Sequence, residues 1–223
     1  EQTMIEYLNN LDAAVLLWLN GFHNTFFDIF MDLVSNKWMW TPMYFSIFIV
    51  CLLHTKFQPK LLVILALFGI TFALSDYTCA EIIRPLVNRP RPSNFESGIG
   101  HLVHIVNDYR GGRYGFPSCH AANSFMLATL GMLVFKEKHF TIFLYSWAFF
   151  HTYSRIYLGV HYPGDTIIGA FVGCALAWGC YCICIRLYPL SDGYRYRYLR
   201  WVEITGTIIL FGLFAAAGYL SWC

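Results

Sequence analysis

Leu61 to Ala80 reads LLVILALFGITFALSDYTCA, a run almost free of charge with the length of a helix that crosses lipid, which takes about 20 largely apolar residues. Ser118 to Phe135, Phe140 to Tyr157 and Thr166 to Ile185 share that character, and Trp201 to Trp222 carries only Glu203. Trp38 to Leu53 is shorter, and Trp38 and Trp40 at its start suit a water interface. Of the 223 residues 57% are apolar and 13% charged, against roughly 45–50% and about 25% in soluble domains. The expected fold is therefore all-α: a polytopic membrane protein of six transmembrane helices over residues 37–223.

The net charge of +2 says little, but its distribution orients the chain. Lys56 and Lys60, Lys136 and Lys138, and Arg186, Arg195, Arg197 and Arg200 fall between spans one and two, three and four, and five and six. By the positive-inside rule that side is cytoplasmic, and the opposite ends face the exterior. Arg195-Tyr196-Arg197 reads as a headgroup anchor on the cytoplasmic side. Most of the remaining cations, Lys37, Arg84, Arg89, Arg91, Arg110, Arg113 and Arg155, gather near the outer ends of the spans.

Residues 1–36 form a separate unit. Ile5, Leu8, Leu11, Val15, Trp18 and Leu19 recur at helical spacing with Glu6, Asn9, Asn10 and Asp12 between them, and Gly21 breaks the pattern before Phe22 to Val34. This predicts two short amphipathic helices lying at the outer membrane surface. The competing reading, an additional crossing, is opposed by Asp12, Asp28 and Asp32. No basic segment precedes the apolar run, so a cleavable signal peptide is not expected. Cys51, Cys174, Cys180, Cys182 and Cys184 lie within predicted spans as small apolar residues and not as a disulfide scaffold. Cys180 and Cys184 share a helix face, but a structural zinc site wants four ligands, and no metal or cofactor is expected. Nucleic-acid patches, internal repeats and low-complexity tracts are absent from the sequence.

Ionisable groups at membrane depth are costly, so clusters of them are functional candidates. Three clusters share the outer side, with active-site loops expected over residues 81–120 and 154–165. Six residues separate Arg84 from Arg91-Pro92, and Pro85, Pro90 and Pro92 are expected to end the helix and leave a stiff cationic strand. Such arginines either clamp a phosphate with their forks or merely reach for lipid headgroups. Pro117-Ser118-Cys119-His120 opens the third span, where free amide N–H groups and the helix dipole favour an anion. The plainer reading is a capping turn with an incidental histidine. Ser154-Arg155 is followed by His161 and Asp165, which flank Tyr162-Pro163-Gly164. A carboxylate beside an imidazole fixes its tautomer and supports charge on the ring, as a nucleophilic histidine requires. An N-cap aspartate beside a loop histidine would account for those two residues alone. His151, one turn before Arg155, reads as a partner behind that arginine or as an interhelical hydrogen bond.

Together the clusters resemble the signature of the type-2 phosphatidic acid phosphatase superfamily, membrane lipid phosphatases that share a site plan with soluble vanadium haloperoxidases. That pattern is Lys, six residues, Arg-Pro; then Pro-Ser-Gly-His; then Ser-Arg, five residues, His, three residues, Asp. Arg84 replaces the usual lysine and Cys119 the usual glycine. The resemblance implies that His161 attacks phosphorus, that Asp165 supports it, and that His120 protonates the leaving oxygen and then activates water. Arg84, Arg91, Ser118, Cys119 and Arg155 would hold the phosphate without a metal. Compact size and small loops resemble bacterial undecaprenyl-diphosphate phosphatases, so undecaprenyl diphosphate is the expected substrate, in the inner membrane with the site facing the periplasm. Phosphatidylglycerophosphate and lipid A are the alternatives, and residues 93–116 would choose among them. A haloperoxidase would need the soluble bundle this chain lacks. A non-catalytic lipid binder or flippase would be expected to lose His120, His161 or Asp165, all present here.

Overall fold

A computed structural model describes residues 3–190 and 198–222. Arg195-Tyr196-Arg197, expected as the headgroup anchor, lies outside the described residues. The described chain is helical, without a β-strand; one bridge pairs Pro90 with Tyr114.

Helix α1 (Met4–Asn20) begins with a capping box: the Glu6 amide donates to Thr3 Oγ1 at 3.2 Å and the Thr3 amide to Glu6 Oε2 at 2.8 Å. Helix α2 (Thr25–Ser35) starts at Asn24, whose Oδ1 accepts from the Phe27 amide at 2.9 Å. Helix α3 (Thr41–Thr55) and α4 (Pro59–Tyr77) each open with proline in the first turn, where no amide donor is missed.

The end of α4 departs from the sequence expectation. Pro85 does not break the helix. A π turn over Thr78–Ile83 carries the chain into α5 (Arg84–Val87), and the Arg84 amide donates five residues back to Cys79 O. Proline lacks an amide donor and crowds the carbonyl four residues earlier; widening the ladder just before it accommodates both defects. Arg84 therefore sits on a rigid helix instead of a strand, and the chain turns at Asn88 in the left-handed conformation (φ 51°).

Helix α6 (Cys119–Phe135) is the axis of the bundle, packed against α4, α7 (Lys138–Tyr157) and α8 (Pro163–Leu187), and it buries residues on nearly every side. Helix α9 (Leu199–Trp222) packs on α2 and α3. Gly169 and Gly173 lie one turn apart on α8, and a Cβ there would fall 2.4 Å from Ser118 O and 2.0 Å from Ala122 O. Only glycine permits so close an approach, the device by which membrane helices pack backbone to backbone. The seam runs up to the start of both helices, where the candidate site lies.

The bundle wears its apolar side chains outward. Ile167, Phe171, Trp178 and Ile183 on α8 and Trp201, Ile208, Phe211 and Phe214 on α9 are exposed, an arrangement suited to lipid and not to water. Four helical stretches are long and apolar enough to span a membrane: Lys37–Thr55, Pro59–Val87, Pro163–Leu187 and Leu199–Trp222. Of the six expected spans the other two differ. Helix α6 has 17 residues, and α7, with 20, carries His139, His151 and Arg155.

The N-terminal helices are built into this bundle. Phe26 and Phe30 of α2 meet Phe214 of α9 edge-on, with centroids 4.9 and 5.6 Å apart. In α1, Leu16 and Asn20 are buried and Asp12 is half-buried, while Met4, Ile5, Leu8, Leu11, Val15 and Trp18 are exposed.

Candidate active site

Helix α6 starts at Ser118, whose Oγ accepts from the Ala121 amide at 3.4 Å, satisfying one of the otherwise free first-turn donors. The Ser118 amide donates to Asp165 O at 3.0 Å, which ties this turn to the first turn of α8. The seam of Gly169 and Gly173 makes that contact possible by letting the two backbones meet.

His161 lies in the α7–α8 connection and is 1% exposed. Arg91 Nη1 lies 2.9 Å from its Nε2 and donates to Val160 O at 2.9 Å. A guanidinium can only donate, so Nε2 carries the lone pair and the ring proton resides on Nδ1. Nδ1 faces Asp165 Oδ2 at 3.4 Å and the Gly115 carbonyl. Burial, followed by the charges of Arg91, Arg155 and Arg84, pushes this imidazole well below its ordinary value of 6.5, so it is neutral at pH 7. Gly115 is pressed against the cluster: a Cβ there would lie 3.0 Å from Arg91 Cγ and 3.2 Å from Asp165 Oδ2.

Asp165 is placed for both readings that the sequence left open. Its Oδ2 accepts from the Tyr162 amide at 3.1 Å, capping α8, and also faces His161; its Oδ1 accepts from Arg89 Nη1 at 2.9 Å. It has no exposed surface.

The arginines converge from three segments. Arg155, at the end of α7, is 5% exposed and donates to Ser35 Oγ of α2. Arg84 Nη2 donates to Pro117 O at 3.2 Å and to Cys119 Sγ at 3.0 Å, so the thiol that replaces glycine in the motif faces a guanidinium. Arg91 is held down to about 10 by burial first and by Arg155 and Arg84 second, which still leaves it charged at neutral pH. The Nε atoms of Arg84, Arg91 and Arg155 are buried without hydrogen-bond partners. A buried unpaired donor costs about 1–3 kcal/mol, and three guanidinium donors near one imidazole fit a tetrahedral anion.

His120 stacks on His151 with centroids 5.7 Å apart and is close enough to Arg155 and Arg91 to feel their charge. His151 Nδ1 pairs with Ser124 Oγ at 2.9 Å across α7 and α6, which is the interhelical hydrogen bond foreseen as one of its two readings. The structure thus gathers Arg84, Arg91, Ser118, Cys119, His120, Arg155, His161 and Asp165 at one end of the bundle.

Two residues near this cluster were not assigned a role from sequence. Arg89 Nη1 bridges Asp165 Oδ1 and Asp12 Oδ2, at 2.9 and 2.8 Å. Its position directly before Pro90, two residues ahead of Arg91, was the one available signal. Nothing in the local pattern of α1 distinguished Asp12 from its polar neighbours.

His23, Asp28 and His104 offer three possible metal ligands within 4.8 Å of one another. The two rings stack 3.6 Å apart and nearly parallel, and His104 Nε2 lies 3.0 Å from both Asp28 oxygens. In-plane lone pairs on parallel rings run side by side and do not converge, so the group is a histidine–carboxylate hydrogen bond with a stacked neighbour instead of a converging ligand set. The seven described cysteines are free thiols.

The family model for the PAP2 superfamily matches residues 60–188, which hold all three motifs. The chain belongs to the PAP2 superfamily. Among curated PAP2-like relatives, "Lipid A 4'-phosphatase" of Bacteroides thetaiotaomicron is 45% identical over 184 residues, covering 82% of this chain and 81% of that protein. The protein of the same name from Porphyromonas gingivalis is 34% identical over 169 residues, covering 76% and 71%. The crystal structure of Aquifex aeolicus LpxE superposes with a TM-score of 0.50 at 21% identity, over 78% of this chain and 93% of that one, which places the two in one fold. This PAP2 protein is a membrane lipid phosphatase. The undecaprenyl diphosphate expectation finds no support among these relatives, whereas its lipid A alternative does.

Proposed function

We propose that this protein hydrolyses the 4'-phosphate monoester of lipid A, at the outer face of the bacterial inner membrane, through a phosphohistidine. The observation that carries the mechanism is His161, a neutral imidazole whose Nε2 keeps its lone pair and faces Arg91 at 2.9 Å among buried guanidinium groups. The names of the two curated relatives support the substrate. Outward orientation rests on Lys56, Lys136, Lys138 and Arg186, which lie at the end of the helices away from the site.

In the first step His161 Nε2 attacks phosphorus in line with the sugar oxygen. The P–O bond breaks and His120 gives that oxygen a proton. Asp165 accepts from Nδ1–H and supports the positive ring. Arg84, Arg91 and Arg155, with the Ser118 hydroxyl and the first amides of α6, hold the non-bridging oxygens while charge develops on them. In the second step His120 takes a proton from water, the oxygen attacks the phosphohistidine, and inorganic phosphate leaves with His161 restored. Because charge neutralisation comes from fixed arginines, no step requires a metal.

A substrate panel tests this reading. Purified protein in detergent is given bisphosphorylated lipid A, undecaprenyl diphosphate, phosphatidylglycerophosphate and phosphatidic acid. Phosphate release and product mass are measured. Loss of one phosphate from lipid A at the 4' position, at a kcat/KM about tenfold or more above the other lipids, is expected. Preference for undecaprenyl diphosphate, or loss of the 1-phosphate, overturns the substrate assignment.

A further inference from the structure

Helix α1 turns a carboxylate toward the catalytic cluster. Asp12 Oδ2 pairs with Arg89 Nη1 at 2.8 Å, and the same Nη1 pairs with Asp165 Oδ1 at 2.9 Å. Asp12 Oδ1 accepts from the Gly164 amide at 2.8 Å, one of the free donors in the first turn of α8. The Arg89 guanidinium lies over the Tyr162 ring at 3.9 Å, so its plane is fixed from a third side. Both anchors of Asp12 are therefore neighbours of Asp165 in space or in sequence. Asp12 and Arg89 are mostly shielded, with side chains 15% and 18% exposed, so the pair is screened less than a surface ion pair.

We infer that Asp12 and Arg89 act as positioning residues: Asp12 orients Arg89 and the first turn of α8, and these hold Asp165 on His161 Nδ1. The site is then incomplete without α1, on which Leu8, Leu11, Val15 and Trp18 are exposed. This inference rests on the phosphohistidine reading, because it assigns Asp12 and Arg89 to the support of that nucleophile. The chemistry favours positioning over direct contact with phosphate. Arg89 is neutralised by two carboxylates, whereas Arg84, Arg91 and Arg155 keep unpaired Nε donors. A fork already shared between two anions is a poor ligand for a third.

The test uses the full chain in detergent, with lipid A as the probe and phosphate release as the readout. Asp12→Asn keeps an acceptor for the Gly164 amide and removes the negative charge that faces Arg89. Its kcat should fall about 10- to 100-fold with KM within twofold, the signature of misplaced reacting groups. Asp12→Glu should recover part of that loss. Arg89→Ala should lower kcat at least as far, and Asp12→Asn combined with Arg89→Ala should be no slower than Arg89→Ala alone. A kcat within twofold of the wild type in folded Asp12→Asn, a loss confined to KM, or fully multiplicative losses in the double variant would each overturn the relay. Thermal unfolding of each variant identifies misfolded protein; if Asp12→Asn unfolds, Asp12→Glu and Arg89→Lys carry the same kcat-against-KM comparison. A wild-type protein that releases no phosphate from any lipid refutes the underlying function instead, so the two failures are distinguishable.

Discussion

The two ends of the bundle use cations in opposite ways. At the turn end, Lys56, Lys136, Lys138 and Arg186 are exposed. At the site end, Arg91 and Arg155 are 8% and 5% exposed, and Arg91 lies against His161. A solvated lysine costs the fold little and biases the direction of insertion. A buried arginine costs several kcal/mol of desolvation unless an anion or strong acceptors repay it. On the proposed reading the first group sets which way the protein faces and the second holds the phosphate.

Substitutions sharpen that contrast. The largest effect is expected for His161→Ala, which removes the bond-forming atom and should lower kcat by about 10⁴-fold or more while the helical circular dichroism is retained. Turnover within tenfold of the wild type would reassign the nucleophile. Arg91→Ala and Arg155→Ala should each cost roughly 10²–10³ in kcat, the range for losing one preorganised donor to a developing oxyanion. Gly115→Ala, whose methyl would press on Arg91 and Asp165, should cost about tenfold in kcat by shifting the same groups. At the other end, Lys56→Gln and Lys138→Gln should leave kcat within about twofold, since neither cation is near the site and exposed charges are screened within about 10 Å. A large kinetic loss in the lysine variants would dissolve the distinction between the ends.

The pH dependence follows from His161. Its depressed value keeps Nε2 unprotonated below the ordinary 6.5, so the acid limb of kcat/KM should lie below that value. Arg91→Gln, by removing one of the charges that depress it, should move this limb upward. The same group ties stability to pH: below about 6.5 the unfolded chain binds a proton that the folded ring refuses, so stability falls on acidification until the folded value is reached. His161→Gln should flatten that part of the unfolding-versus-pH curve.

The candidate site was legible in sequence because its motifs are local: Ser154 to Asp165 and Pro117 to His120 are each one stretch leading into the first turn of a helix, and the structure brings them together. The membrane character was legible from composition alone. What stayed hidden depends on contacts between distant segments. Asp12 meets Gly164 across 152 positions and Ser35 meets Arg155 across 120, and no periodicity carries such information. Asp12, Asp28 and Asp32 were read only as evidence against a further membrane crossing. Their partners were not foreseen: Arg89 for Asp12, His104 and Tyr157 for Asp28, and Asn107 for Asp32. Pro85 misled because proline is a helix breaker on average, whereas here the π turn before it absorbs the defect.

The glycine seam between α6 and α8 carries one more implication. Since Gly169 and Gly173 let α8 lie directly on the backbone of α6, the place where both helices begin cannot be widened without prising them apart. A change of substrate is therefore expected to come from residues 93–116, which carry no such constraint, and exchanging that loop alone is the economical way to test it.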